Sequence, residues 1–138
     1  MEPTQDPFEG DKTFAELVFA ALDHATFSLE GPTLAPLIPF AMTRAGEQRR
    51  LNRFLGADYQ ADVDHALTFA RQGDFDCWAV AWDGYITLEG ERSDAVFVRA
   101  ARRHANQAVL FAWRYERPAP TAALRKLGNP VFLGHEPP

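Results

Sequence analysis

Residues 75–116 form strand-like runs that are apolar on both faces, and this feature most constrains the fold. Successive side chains of a strand point to opposite faces, so Ala95 and Phe97 share one face while Val96 and Val98 share the other. A strand with one face in water would alternate apolar and polar residues. We therefore expect both faces of this sheet to be covered.

This region is predicted to hold three antiparallel strands, joined by turns at Gly90-Glu91 and at residues 104–106. Asp83-Gly84 is compatible with a two-residue hairpin turn, but the alternation continues after it, which favours a bulge or kink. The three strands are FDCWAVAWDGYITLE (75–89), SDAVFVRAAR (93–102) and QAVLFAWRYE (107–116).

Two helices are predicted in the first half of the chain. Thr13 and Glu16 form a capping-box pattern at the start of the first helix, and Gly31-Pro32 is expected to end it. Asp58 is expected to cap the second helix, which Gly73 stops. The apolar stripes at helical spacing are Phe14, Leu17, Val18, Ala21, Leu22, Ala25 and Leu29, then Tyr59, Val63, Ala66, Leu67 and Ala70.

Two more strands lie between the helices. PLIPFAMT (36–43) alternates as a strand, and the more polar QRRLNRFL (48–55) is expected at the edge of the sheet. After Pro118, TAALRKLG (121–128) predicts a short helix, followed by a tail with a small apolar plug, VFL (131–133).

The predicted fold is a single α+β domain with the order α-β-β-α-β-β-β and a five-stranded antiparallel sheet carrying the helices. With 138 residues, 46% of them hydrophobic, the chain is long enough to bury one core without disulfides. Residues 1–11 are expected to be a flexible lead-in, 12–117 the domain, and 118–138 the short helix and tail.

The element order resembles the profilin-like and roadblock/longin-type modules. That resemblance implies a sheet whose first and last strands are adjacent at its centre. The phrases PFA (39–41), GDFDCWAVAWD (73–83), ERSDAV (91–96) and WRY (113–115) also resemble a loose group of small bacterial proteins without an established activity. Neither resemblance carries over a catalytic residue.

The formal net charge of −5 argues against nucleic-acid binding, which needs a basic surface. Two local clusters of arginine run against this mean, and together they would form an anion-attracting patch if they met on one face. Ordinary solvated charges at strand ends and turns are the preferred interpretation of both clusters. The patch residues are Arg49, Arg50, Arg102 and Arg103.

The chain is expected to be a cytoplasmic protein. Its one cysteine, Cys77, lies in an apolar run and is expected to be a buried small side chain. No apolar stretch approaches the roughly 20 residues that span a bilayer, and the N-terminus lacks the basic-then-apolar pattern of a signal peptide.

No catalytic, cofactor or metal motif is present in the sequence. The four histidines lack the paired spacing of a zinc site, and in DVDH (62–65) only Asp62 and His65 share a helix face. Ser28 and Ser93 lie in no nucleophile elbow, and the glycine-rich phosphate loops are absent. The sequence thus predicts no cofactor and favours a non-catalytic protein.

Asp83 is the candidate for a ligand pocket because it interrupts an apolar run. If it is buried it needs donors, and Arg99 or Arg114 on neighbouring strands are the expected ones. With Trp82 these residues form the predicted pocket of a small-molecule-binding or enzymatic domain, which is the alternative function.

The surplus of aromatic residues predicts a subunit interface, with Phe19, Phe97 and Trp113 as its candidates. Either the VFL tail (131–133) or a second copy of the protein would cover the second face of the sheet, and an isologous homodimer is the commonest such solution. The preferred function is a module that self-associates and binds a protein or peptide partner. A third possibility is an inhibitor that meets a basic partner through Asp58, Asp62 and Asp64.

Overall fold

Two helices and seven strands are present in the computed structural model, which describes residues 6–30, 36–56, 58–117 and 123–138. The helices are α1 (Lys12–Ser28) and α2 (Tyr59–Gln72). The strands are β1 (Phe40–Ala45), β2 (Gln48–Arg53), β3 (Cys77–Leu88), β4 (Glu91–Arg102), β5 (Ala108–Glu116), β6 (Arg125–Lys126) and β7 (Val131–Glu136).

All strand pairs are antiparallel, and the sheet has the order β2-β1-β3-β4-β5. Strands β6 and β7 both pair with β5 on its outer side. The β3–β4 hairpin turns at Glu89 and Gly90, where φ is +53° and +79°. Positive φ at both central residues is the geometry that matches the twist of a two-residue hairpin.

The two helices lie on opposite faces of the sheet. α1 packs on β1, β3 and β4, whereas α2 packs mainly on β1 and β3, and its core also includes Ala101 of β4 and Ala108 of β5. The side chains of β3 alternate between the two cores, with Ala79 and Ala81 on the α1 face and Trp78 and Val80 on the α2 face. The expectation that both faces are apolar because both are covered is therefore confirmed for β3.

The predicted helix stripes are confirmed. The seven predicted stripe residues of the first helix, the last of which is its C-cap Leu29, are all buried. Four of the five stripe residues of α2 are buried, and Tyr59 is half-buried. Asp58 caps α2 as expected, because its side chain accepts from the backbone N–H of Ala61 at 2.8 Å, and Gly73 ends the helix.

The prediction of a capping box at Thr13 and Glu16 is wrong. The N-cap of α1 is Asp11, whose carboxylate accepts from the backbone N–H of Phe14 at 3.0 Å. The helix thus begins at Lys12, which places Thr13 inside its first turn with an exposed side chain. α1 also ends before Gly31-Pro32, and those two residues lie outside the described part of the chain.

The prediction of five strands is wrong, because β6 and β7 extend the sheet beyond residue 117. Arg125 and Lys126, expected in a short helix, are the two residues of β6, and the VFL plug begins β7. Thr121 and Ala122 of the predicted helix lie outside the described residues. The outer edge of β5 offers unpaired backbone groups that these segments satisfy, and a local pattern does not reveal such a distant partner.

The prediction that the first and last strands are adjacent at the centre of the sheet is wrong as well. The neighbours of β1 are β2 and β3. Neither a hairpin nor a bulge occurs at Asp83-Gly84, since β3 keeps an unshifted register with β4 through this point. Gly84 is explained instead by close packing. A Cβ atom there would lie 3.1 Å from the Phe97 ring.

Phe8 lies in residues 1–11, which were expected to be a flexible lead-in, and its ring contacts the core. Its ring stacks on Phe111 with centroids 5.5 Å apart, and meets Phe14 edge-on at 5.7 Å. Phe8 therefore packs against the apolar core on the α1 side, whereas Asp6, Glu9 and Gly10 are exposed.

Replacing Asp11 by alanine is expected to lower the free energy of unfolding by about 1 kcal/mol, because the N–H of Phe14 loses its acceptor. Urea denaturation measures the change. Thr13→Ala, one turn away and exposed, is the matched control and should change the free energy much less. A larger loss at Thr13 than at Asp11 would contradict the assigned cap.

Candidate functional site

Asp83 is the centre of a hydrogen-bonded network on the α1 side of the sheet. Its carboxylate accepts from the Tyr115 hydroxyl at 2.8 Å and from the backbone N–H of Leu37 at 3.1 Å. Its own backbone N–H donates to the Tyr59 hydroxyl at 2.6 Å, and that hydroxyl donates to the Leu37 carbonyl at 2.8 Å. The network joins β3, β5, α2 and the segment before β1.

The position of Asp83 explains why these side chains are needed. The pairing of β1 with β3 ends at Phe40 and Ala81, so the backbone of β3 has no β1 neighbour beyond that point. Tyr59 supplies the missing acceptor, since an unpaired buried N–H is costly. We conclude that Asp83 and Tyr59 continue the lateral contacts of β3 after β1 has ended.

Burial dominates the electrostatics of this network. It raises the pKa of Asp83, although the hydrogen bonds from Tyr115 and Leu37 act in the opposite direction. It also raises the pKa of Tyr59 to about 12 and that of Tyr115 further, with the Asp83 charge adding to the effect at Tyr115. Both hydroxyls therefore stay protonated at neutral pH and act as donors.

The structure does not assemble the pocket predicted around Asp83. Trp82, Arg99 and Arg114 point to the opposite face of the sheet, because side chains alternate along a strand. The expectation that Arg99 or Arg114 pairs with Asp83 is wrong, since Tyr115 and Leu37 are the donors. Arg99 instead forms an ion pair with Glu136 of β7.

The open face is the part of the sheet turned away from α1 that α2 does not reach, and its residues are Trp82, Phe97, Arg99, Leu110 and Arg114. All five are half-buried. The Trp82 and Phe97 rings stack at 5.8 Å, and the Arg99 guanidinium lies 5.8 Å from the Trp82 ring. In the described part of the chain α2 packs mainly on β1 and β3, and Ala101 and Ala108 are the residues of β4 and β5 that join its core.

Two guanidinium groups of the open face are incompletely bonded. The Nε atoms of Arg99 and Arg114 are buried without a hydrogen-bond partner. Arg99 has Glu136 at its other end, whereas Arg114 has no carboxylate partner among the described residues. Buried polar atoms are normally bonded, so Arg114 lacks the acceptor that such a group requires.

The three predicted interface residues do not form one surface. Phe97 belongs to the open face, whereas Phe19 and Trp113 lie on the α1 side, where Phe19 is 42% exposed and touches Phe8. The Trp113 indole N–H donates to the Gly128 carbonyl at 2.9 Å, so the C-terminal segment already satisfies it.

The predicted anion patch is not assembled either. Arg102 pairs with Glu9, and Arg103 pairs with Asp74 and Asp76, so carboxylates of this chain neutralise both. On β2, Arg49 and Arg50 are neighbours and point to opposite faces. The two clusters are also separated by β1 and β3 in the sheet.

The remaining candidate groups give no catalytic or metal centre. Asp62 is buried on α2 while His65 is exposed, and no three metal-ligating side chains cluster among the described residues. The burial of Asp62 also reduces the predicted acidic surface, leaving Asp58 and Asp64 exposed. Burial raises the pKa of Cys77 to about 11, so the thiol is a poor nucleophile at neutral pH.

Neither of the two helices in the described ranges is long and apolar enough to cross a membrane.

Sequence reasoning missed Tyr59, Leu37 and Glu136 as partners of the candidate residues. Tyr59 was expected only in the apolar stripe of α2, and its hydroxyl gives no sign in the sequence of where it bonds. Glu136 lies 37 residues from Arg99. The sequence did indicate that Asp83, a carboxylate within an apolar run, needs hydrogen-bond donors from other parts of the chain.

Replacing Asp83 by asparagine is expected to remove a pH-dependent part of the stability. Because the pKa of Asp83 is raised in the folded state, its contribution is fully present below the ordinary value of 3.8 and is lost as the pH rises through the raised pKa. The free energy of unfolding of the native protein should therefore fall relative to that of Asp83→Asn as the pH rises from about 4 to about 8.

Urea denaturation of both proteins at each pH measures this difference. Asp64→Asn, which alters an exposed carboxylate on α2, is the matched control and should not reproduce the trend. A difference that stays constant or grows with pH would contradict the raised pKa of Asp83.

The function of the chain is inferred from the geometry of its described residues. No protein-family model, no curated protein and no solved structure matches the chain.

Proposed function

We propose that the protein is a non-catalytic cytoplasmic module that binds other proteins and self-associates through the open face. The observation that carries this proposal is the half-buried Arg114, which lacks a carboxylate partner in the described chain and stands on the same face as the stacked Trp82 and Phe97. Tryptophan and arginine are the residues that most often dominate binding energy at protein interfaces.

The architecture supports a partner on this face. α1 spans β1, β3 and β4, but α2 packs mainly on β1 and β3, so β4 and β5 have little helical cover on the α2 side beyond Ala101 and Ala108. This area also holds Ala95 and Ala112, both of which are fully buried. Sheet faces pack against each other through larger side chains that interdigitate.

A second copy of the chain is the occupant that suits the charges best. An isologous interface requires that one patch complement itself, and the open face carries the cationic Arg114 while Glu136 lies beside Arg99. A two-fold axis through the face would bring the guanidinium of each copy towards a carboxylate of the other. The apolar Trp82, Phe97 and Leu110 would form the centre of the contact.

The alternative function, a small-molecule or enzymatic pocket, loses its specific support. It required Asp83 to converge with Trp82 and Arg99, and the sheet separates them by placing them on opposite faces. Asp83 is also engaged by two donors within the fold, so its carboxylate is committed to the network.

Phe97→Asp is expected to convert a dimer into a folded monomer, because it places a carboxylate at the apolar centre of the open face. Light scattering on a size-exclusion column, across a dilution series, should give twice the 15.4 kDa chain mass for the native protein and the single-chain mass for the variant. Arg114→Glu, which keeps Phe97, is a second variant with the same expected direction.

Phe19→Asp is the matched control, because Phe19 is an exposed phenylalanine on the α1 side of the sheet. We expect this variant to remain a dimer. A native protein that is monomeric at every concentration, or a dimer that Phe19→Asp dissociates and Phe97→Asp does not, would overturn the assignment of the open face.

A further inference from the structure

We propose that the outer edge of β2 is a docking site for an acidic, extended segment of a partner protein, which adds to the sheet as a further strand beside β2. We call this site the basic edge and define it by Arg49, Leu51 and Arg53. It is separate from the open face, because β2 ends the sheet on the side away from β4 and β5.

The backbone of the basic edge has free hydrogen-bonding groups. β2 pairs with β1 on its inner side, and no described strand pairs with its outer side. Phe54 donates its N–H to the Pro39 carbonyl at 2.9 Å, which makes these two residues a hydrogen-bonded pair. Such pairs alternate along an antiparallel ladder, so the N–H and C=O groups of Arg49, Leu51 and Arg53 point outwards.

The side chains of the same three residues lie on the α1 side of the sheet. The Arg53 guanidinium is 3.4 Å from the His24 ring nitrogen Nε2, and Arg49 lines a groove together with His24 and Phe27 of α1. Burial and these two arginines lower the pKa of His24, so the imidazole is neutral and accepts from Arg53. A strand of a partner protein that paired with β2 would therefore bond the free backbone groups and contact the cationic side chains.

The arginines of the β1–β2 hairpin have no carboxylate partner within the described chain. The four arginines of the β1–β2 hairpin, Arg44, Arg49, Arg50 and Arg53, form no ion pair there, although acidic residues outnumber basic ones by 19 to 14. Arg99, Arg102, Arg103 and Arg125 are all paired. Asp23 lines the groove beside Arg49 and makes no ion pair with it.

An apolar groove adjoins the basic edge. It has a volume of about 200 Å³ and is lined by Leu29, Leu37 and Phe40, with Arg53 and His24 at its rim. Phe27, which is 70% exposed, lines the groove that contains Arg49. A partner strand that carries an apolar residue between two carboxylates would cover the half-buried Leu51 and neutralise both arginines.

The charge pattern selects this occupant over a second copy. Two β2 edges that paired with each other would bring arginines opposite arginines, and like charges on paired strands are destabilising. An extended peptide satisfies the outward N–H and C=O groups in the alternating pattern of a ladder, which a phosphate chain does not. Arg49 and Arg53 lie four residues apart, or about 13 Å along the strand.

The probe is the fluorescein-labelled peptide TETLTET, whose two glutamates have the spacing of Arg49 and Arg53 and flank one leucine. The sequence is palindromic, so it suits either strand direction. We expect saturable binding by fluorescence anisotropy that weakens as salt is added. The lysine version, TKTLTKT, should not bind.

The double variant Arg49→Glu with Arg53→Glu should weaken TETLTET binding about tenfold or more, since two charge pairs become repulsive. Arg71→Glu with Arg92→Glu makes the same change in net charge at exposed positions on α2 and β4, and should leave the affinity nearly unchanged. Phe97→Asp should also leave it unchanged, which separates this site from the proposed dimer. Circular dichroism verifies that each variant is folded.

Amide hydrogen exchange tests the strand geometry independently of charge. Bound peptide should slow exchange at Arg49, Leu51 and Arg53, whose N–H groups point outwards, and should change Arg50 and Asn52 little, because β1 already bonds them. Equal binding of both peptides, no binding at millimolar peptide, or binding without this alternating protection would overturn the proposal. Tighter binding of a single-stranded oligonucleotide through the same arginines would overturn it as well.

Discussion

The burial of β3 on both faces is the interaction on which the rest of the structure depends. Its side chains enter the α1 core and the α2 core in turn, with Ala79 and Val80 as adjacent members of the two. Burying a side chain of the size of Val80 contributes roughly 1.5–3 kcal/mol, and an alanine contributes less, so one strand stabilises the packing of both helices. The position of β3 between β1 and β4 then places every other strand of the sheet.

The unequal reach of the helices produces the two surfaces of functional interest. α2 follows β2 and crosses the sheet above β1 and β3, which leaves most of β4 and β5 with little helical cover on that side. The same crossing leaves β2 at the edge, with its outer backbone groups unpaired in the described chain. The open face and the basic edge thus both follow from the position of α2. The open face lies mainly on β4 and β5, and the basic edge lies on β2 at the other end of the strand order.

The charges follow a similar division. At one end of β4, Arg102 and Arg103 are neutralised by carboxylates from the N-terminal segment and from the loop before β3. The arginines of β2 have no such partners in the described residues. An acidic chain therefore presents a local basic strand, a feature that its net charge of −5 conceals.

Part of this arrangement could be predicted from the sequence, because periodicity reports burial directly. The stripes from Phe14 to Leu29 and from Val63 to Ala70 identified both helices, and the polarity of β2 indicated an edge strand. The C-terminal strands were missed because β6 has only two residues, and β7 depends on the free edge of β5. Asp83 was recognised as unusual, but its donors were misassigned, because the register decides which face a side chain enters.

The sequence by itself determined where the two helices and the first five strands form, which helix residues need burial, and that both sides of β3 must be covered. Those properties depend on side chains three or four residues apart in a helix, or two apart in a strand. Only the tertiary structure decided that Asp83 meets Tyr115, that Arg99 meets Glu136 and that Arg49 and Arg53 have no carboxylate partner in the described chain. These outcomes depend on strand order and register, which bring together residues 30 or more positions apart.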